Sequence, residues 1–115
     1  MKLLLDESVP VGVRDQLADH CVATVPKMGW AGLGNGALLM AAEQGGFDVV
    51  ITGDQNVVYQ QNLSDRRIAL VVMSTNHWPT IKAHPDLVRA AVSGAGEGAY
   101  VEVSFPRHQT PRDRS

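Results

Sequence analysis

Two segments of the chain, Asp48 to Thr52 (DVVIT) and Ile68 to Met73 (IALVVM), are apolar almost without interruption. A strand with one wet face alternates apolar and polar residues, whereas an unbroken apolar run is covered on both faces. Strands of that kind belong to parallel sheets flanked by helices, so these two segments restrict the chain to an α/β architecture.

The other segments supply the matching elements. Lys2 to Leu5, Cys21 to Val25 and Ala99 to Phe105 read as further short strands. A helix is expected from Asp6 or Ser8, with Pro10 in its first turn, to about His20, since Val13, Leu17 and Cys21 recur at helical spacing. A second begins at Asn35 as its cap and stops at Gly45-Gly46. A third is expected from about Asn56 to Leu63, and a fourth from Pro79 or His84 to about Ala95. The expectation is a three-layer α/β sandwich around a mostly parallel sheet of four or five strands, with right-handed crossovers. Residues 1–105 form one domain and 106–115, without an apolar period, a flexible C-terminal tail.

Composition narrows the class without naming a function. The chain has 115 residues, 44% of them hydrophobic and 19% charged, which is enough for one ordinary core. A net charge of −2 gives no bulk attraction for nucleic acid but permits a local basic rim. The single cysteine, Cys21, excludes an intramolecular disulfide. With no secretory segment at the start and no apolar run of membrane-spanning length, a cytoplasmic protein without membrane contact is expected.

In an open parallel sheet, ligands lie beyond the carboxyl ends of the strands, where the strand order reverses. Asp6 and Glu7 follow the first strand. Thr52, Asp54 and Asn56 end or follow the third, and Ser74, Thr75 and Asn76 follow the fourth. These polar groups therefore share one edge of the sheet. Carboxylate, amide and hydroxyl oxygens suit hard cations such as Mg²⁺ or Mn²⁺. Each acid alone could equally cap a turn; their shared edge is what points to a site.

The stretches LLLDESVP, GLGNGALLMAAEQGGFDVVITGDQN and YQQNL, in this order, resemble the small bacterial PIN-like domain proteins over about residues 1–105. The resemblance implies a PIN-like fold and a Mg²⁺- or Mn²⁺-dependent endoribonuclease, the toxin of a toxin–antitoxin pair. It implies catalytic roles for Asp6, Glu7 and Asp54 and metal ligation by Asp6, Asp54 and Asn56. Thr52, Asn35 and Thr75 would stand behind them as supporting residues. The partners implied are an RNA substrate, an antitoxin protein and a second copy of the chain. Arg66, Arg67, Lys82 and Arg107 are candidate phosphate contacts, each with an ordinary solvated surface as the alternative.

The chain departs from the family pattern where further acids are expected, with Asn35, Ala37 and Asn56. A nuclease needs enough negative charge to hold its cation, so a weakened, non-catalytic PIN-like binding scaffold is an alternative. A phosphoacceptor receiver domain is another. It shares an acidic pair after strand one, an Asp after strand three and a Thr after strand four, here Asp6-Glu7, Asp54 and Thr75. The chain has Phe105-Pro106-Arg107 where a receiver carries a lysine.

Other residues read as structural. Trp30 and Trp78 could stack a base but are expected to close small satellite cores. Cys21 reads as a core thiol, and the four histidines show no ligand spacing. GWAGLGNG lacks the Gly-Lys-Ser/Thr of a phosphate loop, and Tyr59 to Asn62 is either a partner surface or solvated polar chain.

Overall fold

The computed structural model describes residues 1–33, 35–53 and 66–106. Strands β1 (Lys2–Leu5), β2 (Cys21–Thr24), β3 (Val49–Thr52), β4 (Ala69–Met73) and β5 (Tyr100–Val103) pair throughout in parallel, in the order β2-β1-β3-β4-β5. Helices α1 (Val13–Gln16), α2 (Asn35–Gln44), α3 (Trp78–Lys82) and α4 (Pro85–Ser93) cover the sheet. The helix expected from Asn56 to Leu63 and the tail from Arg107 onward lie outside the described residues.

The apolar runs behave as their composition requires. β3 and β4 are buried at every residue, and Leu3 to Leu5 of β1 is buried as well. Alternate residues serve two cores. Leu3, Leu5, Val49, Ile51, Val71 and Met73 pack under α1, α3 and α4, with Val13, Leu17, Ile81, Val88 and Val92. Leu4, Val50, Leu70 and Val72 face the other way, toward Leu38, Leu39 and Ala42 of α2. This is the expected three-layer α/β sandwich, with the sheet parallel throughout.

Three local expectations are corrected. The first helix is one turn rather than a run to His20. Beside the bonds within this single α-helical turn, Val13, Arg14, Asp15 and Leu17 donate their amides to carbonyls three residues back, tightening its two ends. Val9, Val13 and Leu17 still reach the core, so the apolar spacing survives without a long helix. The last helical segment, expected from Pro79 or His84 to about Ala95, is two helices, α3 around Pro79 and α4, which keeps the His84 start. His84 precedes Pro85 and sits at φ −132°, ψ 58°, outside the helical region that a following proline disfavours. Cys21 is exposed instead of buried, because β2 is an edge strand and Cys21 is its first residue. α2 ends as Gly45-Gly46 suggests. Gly46 takes φ +81°, and Phe47 donates its amide to the Ala42 carbonyl at 2.9 Å, closing a Schellman motif.

The crossovers do not share one hand. The β1–α1–β2 connection steps toward one edge of the sheet, and the β4–α3–α4–β5 connection steps toward the other. Yet α1, α3 and α4 pack on the same face, so these two connections have opposite hands. The β2–α2–β3 connection steps back on the opposite face and keeps the hand of the first. The β4–β5 connection is therefore the exception to the expected uniform handedness. The rule reflects one helix fed directly by one twisted strand. Here two short helices broken at His84 are held against α1 instead. Gln16 Nε2 donates to the Ile81 carbonyl at 2.9 Å, Arg89 meets Asp19 at 3.3 Å, and the Trp78 indole lies against Gly12.

Candidate functional site

β2 and β3 flank β1 on opposite sides, so the chain turns away from β1 in both directions. The gap between the carboxyl ends of β1 and β3 is the switch point of the sheet. The backbone closes it tightly, since Asp6 donates its amide to the Ile51 carbonyl at 2.9 Å.

Asp6, half-buried, stands at that point with one oxygen engaged. Oδ2 accepts the Ser8 hydroxyl at 2.6 Å, the Thr52 hydroxyl at 3.0 Å and, more weakly, the Ser8 amide at 3.4 Å. The Ser8 oxygen in turn accepts the Gly53 amide at 3.0 Å and lies 3.3 Å from Thr52 Oγ1. Asp6 Oδ1 accepts no hydrogen bond among the described residues. Thr52 is buried while Asp6 and Ser8 are half-buried, so the cluster rests on the core through Thr52. Asn76, from the end of β4, packs beside Gly53 and extends the polar edge.

The sequence-derived candidates divide at this geometry. Asp6 and Thr52 meet directly. Glu7 is exposed beside Asp6 and makes no hydrogen bond or ion pair with the described residues. Asp54 and Asn56 lie outside the described residues, though Gly53, which leads to Asp54, is bonded to Ser8. Thr75 is at the same edge, but its hydroxyl accepts the His77 amide at 3.0 Å and forms a turn there. Asn35 opens α2, and Ala37 in the first turn of that helix is exposed. Lys82 is exposed at the last turn of α3, with no described ion pair.

Arg66 and Arg67 are at the wrong edge for phosphate contacts near Asp6. They precede β4, at the amino end of the sheet. Through the register Leu3↔Val49↔Ala69, Arg67 and Asp6 are separated by ~16 Å along the strands, at ~3.3 Å per residue. Arg66 is committed to Glu43 at 2.8 Å, and the Arg67 amide donates to the same carboxylate at 2.9 Å. Burial pushes the Glu43 carboxyl up, but the Arg67 amide, the Arg66 guanidinium and the Ile68 amide together hold it below the usual carboxylate value. A cleft of ≈ 360 Å³ also lies at this amino edge, lined by Glu43, Asp48, Arg67 and Glu97 among others. Its acids Glu43 and Asp48 already serve the fold, Asp48 by accepting the Lys2 amide at 2.8 Å. The smaller carboxyl-edge arrangement, with its uncommitted carboxylate oxygen, is the better candidate.

Ser8 is the site residue that sequence reasoning misses, placing it only at a possible start of the first helix. The spacing Asp-x-Ser after a strand was the available signal, since an Asp accepts readily from the residue two positions on. Both tryptophans are structural as expected. Trp30 meets Phe47 edge-on at 6.0 Å, and Trp78 joins the core beside α1.

Hard oxygen donors at a switch point fit a small divalent cation. Among the described residues no three His, Cys, Asp or Glu side chains converge, so a cation here would need Asp54 or Glu7 beside Asp6. Fold and site together define a three-layer α/β protein with a carboxylate–hydroxyl cluster at the β1/β3 switch point. No model of a known family, no curated protein and no solved structure matches the chain.

Proposed function

We propose that the chain is a PIN-like, Mg²⁺- or Mn²⁺-dependent endoribonuclease, the toxin of a toxin–antitoxin pair that a small antitoxin protein restrains. The observation that carries this reading is the Asp6 carboxylate, held by Ser8 and Thr52 through Oδ2 with Oδ1 left available at the switch point.

A divalent cation bound there would lower the pKa of a water and neutralise charge on an RNA phosphodiester. Asp6 would present a ligand oxygen held in orientation by Ser8 and Thr52, and Asp54 would supply the second carboxylate. Glu7, exposed next to Asp6, would accept the proton that such a water gives up. Thr52 keeps the Asp6 carboxylate turned toward the edge. Lys82 is the remaining candidate for a phosphate contact among the described basic residues named above, because Arg66 is spent on Glu43 and Arg67 is at the far edge.

One observation favours a second reading, a PIN-like scaffold that binds without cutting. Ala37 occupies an exposed place in the first turn of α2 and brings no acid to this edge. A receiver domain is disfavoured. Its strand order would match, but a doubly wound domain with uniformly right-handed crossovers places the β4–β5 helix on the face opposite α1. Here α4 packs beside α1.

The deciding experiment is Mn²⁺ calorimetry with RNA cleavage on the same samples, for the unaltered chain, Asp6→Asn and Asp54→Asn. Binding and cleavage lost in both variants support the nuclease. Binding without cleavage by the unaltered chain supports the scaffold, and no binding removes both.

A further inference from the structure

The Asp6 cluster carries an asymmetry that acid count alone does not explain. Both hydroxyls that reach the carboxylate, from Ser8 at 2.6 Å and Thr52 at 3.0 Å, go to Oδ2, and none of the described residues bonds Oδ1. Each hydroxyl has one proton to give, and each gives it to this oxygen. Ser8 is held in turn from behind, because its oxygen accepts the Gly53 amide at 3.0 Å. The Ser8 side chain thus spans the ends of β1 and β3, and its rotamer is fixed from both sides.

We infer that Ser8 is a positioning residue that makes Asp6 a one-oxygen ligand and thereby sets which divalent cation the site accepts. The inference rests on the reading of Asp6 as a cation ligand. A carboxylate with Oδ2 committed to two hydroxyls offers only Oδ1. Mg²⁺ and Mn²⁺, with small octahedral shells, are satisfied by one oxygen from each carboxylate and by waters. Ca²⁺ takes six to eight oxygens and often both from one carboxylate, which the committed Oδ2 withholds. Ser8 therefore acts through Asp6, orienting the ligand oxygen in the way that outer hydrogen bonds orient metal-bound side chains.

The test is calorimetric titration of the full chain with Mn²⁺ and, separately, Ca²⁺, for the unaltered protein, Ser8→Ala, Ser8→Thr and Asp6→Asn, with metal-free melting curves alongside. The expected result is preference for Mn²⁺ in the unaltered chain and about tenfold weaker Mn²⁺ binding in Ser8→Ala. Ca²⁺ binding should be unchanged or tighter in that variant, so the Mn²⁺/Ca²⁺ ratio falls. Ser8→Thr, which keeps the hydroxyl, should restore the ratio. A merely structural role would lower the melting temperature and leave the ratio alone. An unchanged ratio in Ser8→Ala, with binding lost in Asp6→Asn, overturns the inference and leaves Asp6 as a ligand. No Mn²⁺ binding by the unaltered chain, or undiminished binding in Asp6→Asn, overturns the underlying reading as well. Should Ser8→Ala show no melting transition, Ser8→Cys, close in size and a weak donor, replaces it with the same expected fall in ratio.

Discussion

The Thr52 hydroxyl, buried at the end of β3, donates to the Asp6 carboxylate at the end of β1 over 3.0 Å. It joins two adjacent parallel strands through their side chains at the place where the strand order reverses. Thr52→Val keeps the shape and removes the donor. It is expected to cost about 1.5–3 kcal/mol in a urea melt, the loss of a hydrogen bond to a charged group. Thr52→Ser should retain most of the stability, since the same oxygen remains in reach.

Arg66 and Arg67 separate fold from function. Arg66→Gln breaks the contact with Glu43 and is expected to lower stability by about 0.5–1.5 kcal/mol. RNA cleavage per folded molecule should be unchanged, because the residue is at the amino edge. Lys82→Gln should do the reverse, leaving the melt alone and raising the RNA concentration needed for half-maximal rate. Equal loss of cleavage in both variants would place the substrate along the whole sheet rather than at its carboxyl edge.

The Glu43 carboxyl is held below its ordinary value in the folded chain, so its contribution to stability is present above the unfolded pKa. It is lost as pH falls from the ordinary carboxylate range through the folded value. Glu43→Gln should therefore lower stability at neutral pH and flatten the acid limb of a stability–pH curve. Parallel acid limbs in the two proteins would show that Glu43 is not what responds there.

Tyr100 predicts an effect at the other end of the scale. Burial, with the hydrogen bond to Glu102 at 2.8 Å and the charge of that carboxylate, pushes its phenol up to about 12. A raised folded pKa means stability is complete below the unfolded value and declines between about pH 10 and 12. An absorbance titration in a Tyr59→Phe background reads Tyr100 alone, since the chain has two tyrosines. Glu102→Gln should bring the midpoint down toward the ordinary value.

Gly12 is required for space and not for backbone freedom. Its φ of −60° suits any residue, but a Cβ would fall inside the indole of Trp78. Gly12→Ala is expected to destabilise by about 1–3 kcal/mol through overpacking. Adding Trp78→Leu should recover part of the loss, because removing the ring opens the space; an additive double mutant would locate the strain elsewhere.

What the sequence determined by itself follows from composition within single segments. Unbroken apolar runs such as VVIT and ALVVM need cover on both faces, which requires a parallel sheet between helices. Gly45-Gly46 and the His84–Pro85 step mark helix boundaries for reasons internal to a few residues. The strand-end rule also places Asp6 and Thr52 at one edge of the sheet from sequence alone. The tertiary structure alone decided which of these groups touch, because contact between Asp6, Ser8, Thr52 and Gly53 depends on the order and register of strands far apart in the chain. It alone showed that Arg66 and the Arg67 amide are committed to Glu43, since sequence puts both residues ahead of a strand but does not give their partner. The reversed hand of the β4–β5 connection is of the same kind. It goes with the packing of α3 and α4 beside α1, where Gln16 meets Ile81 and Gly12 meets Trp78, contacts between segments far apart in the chain.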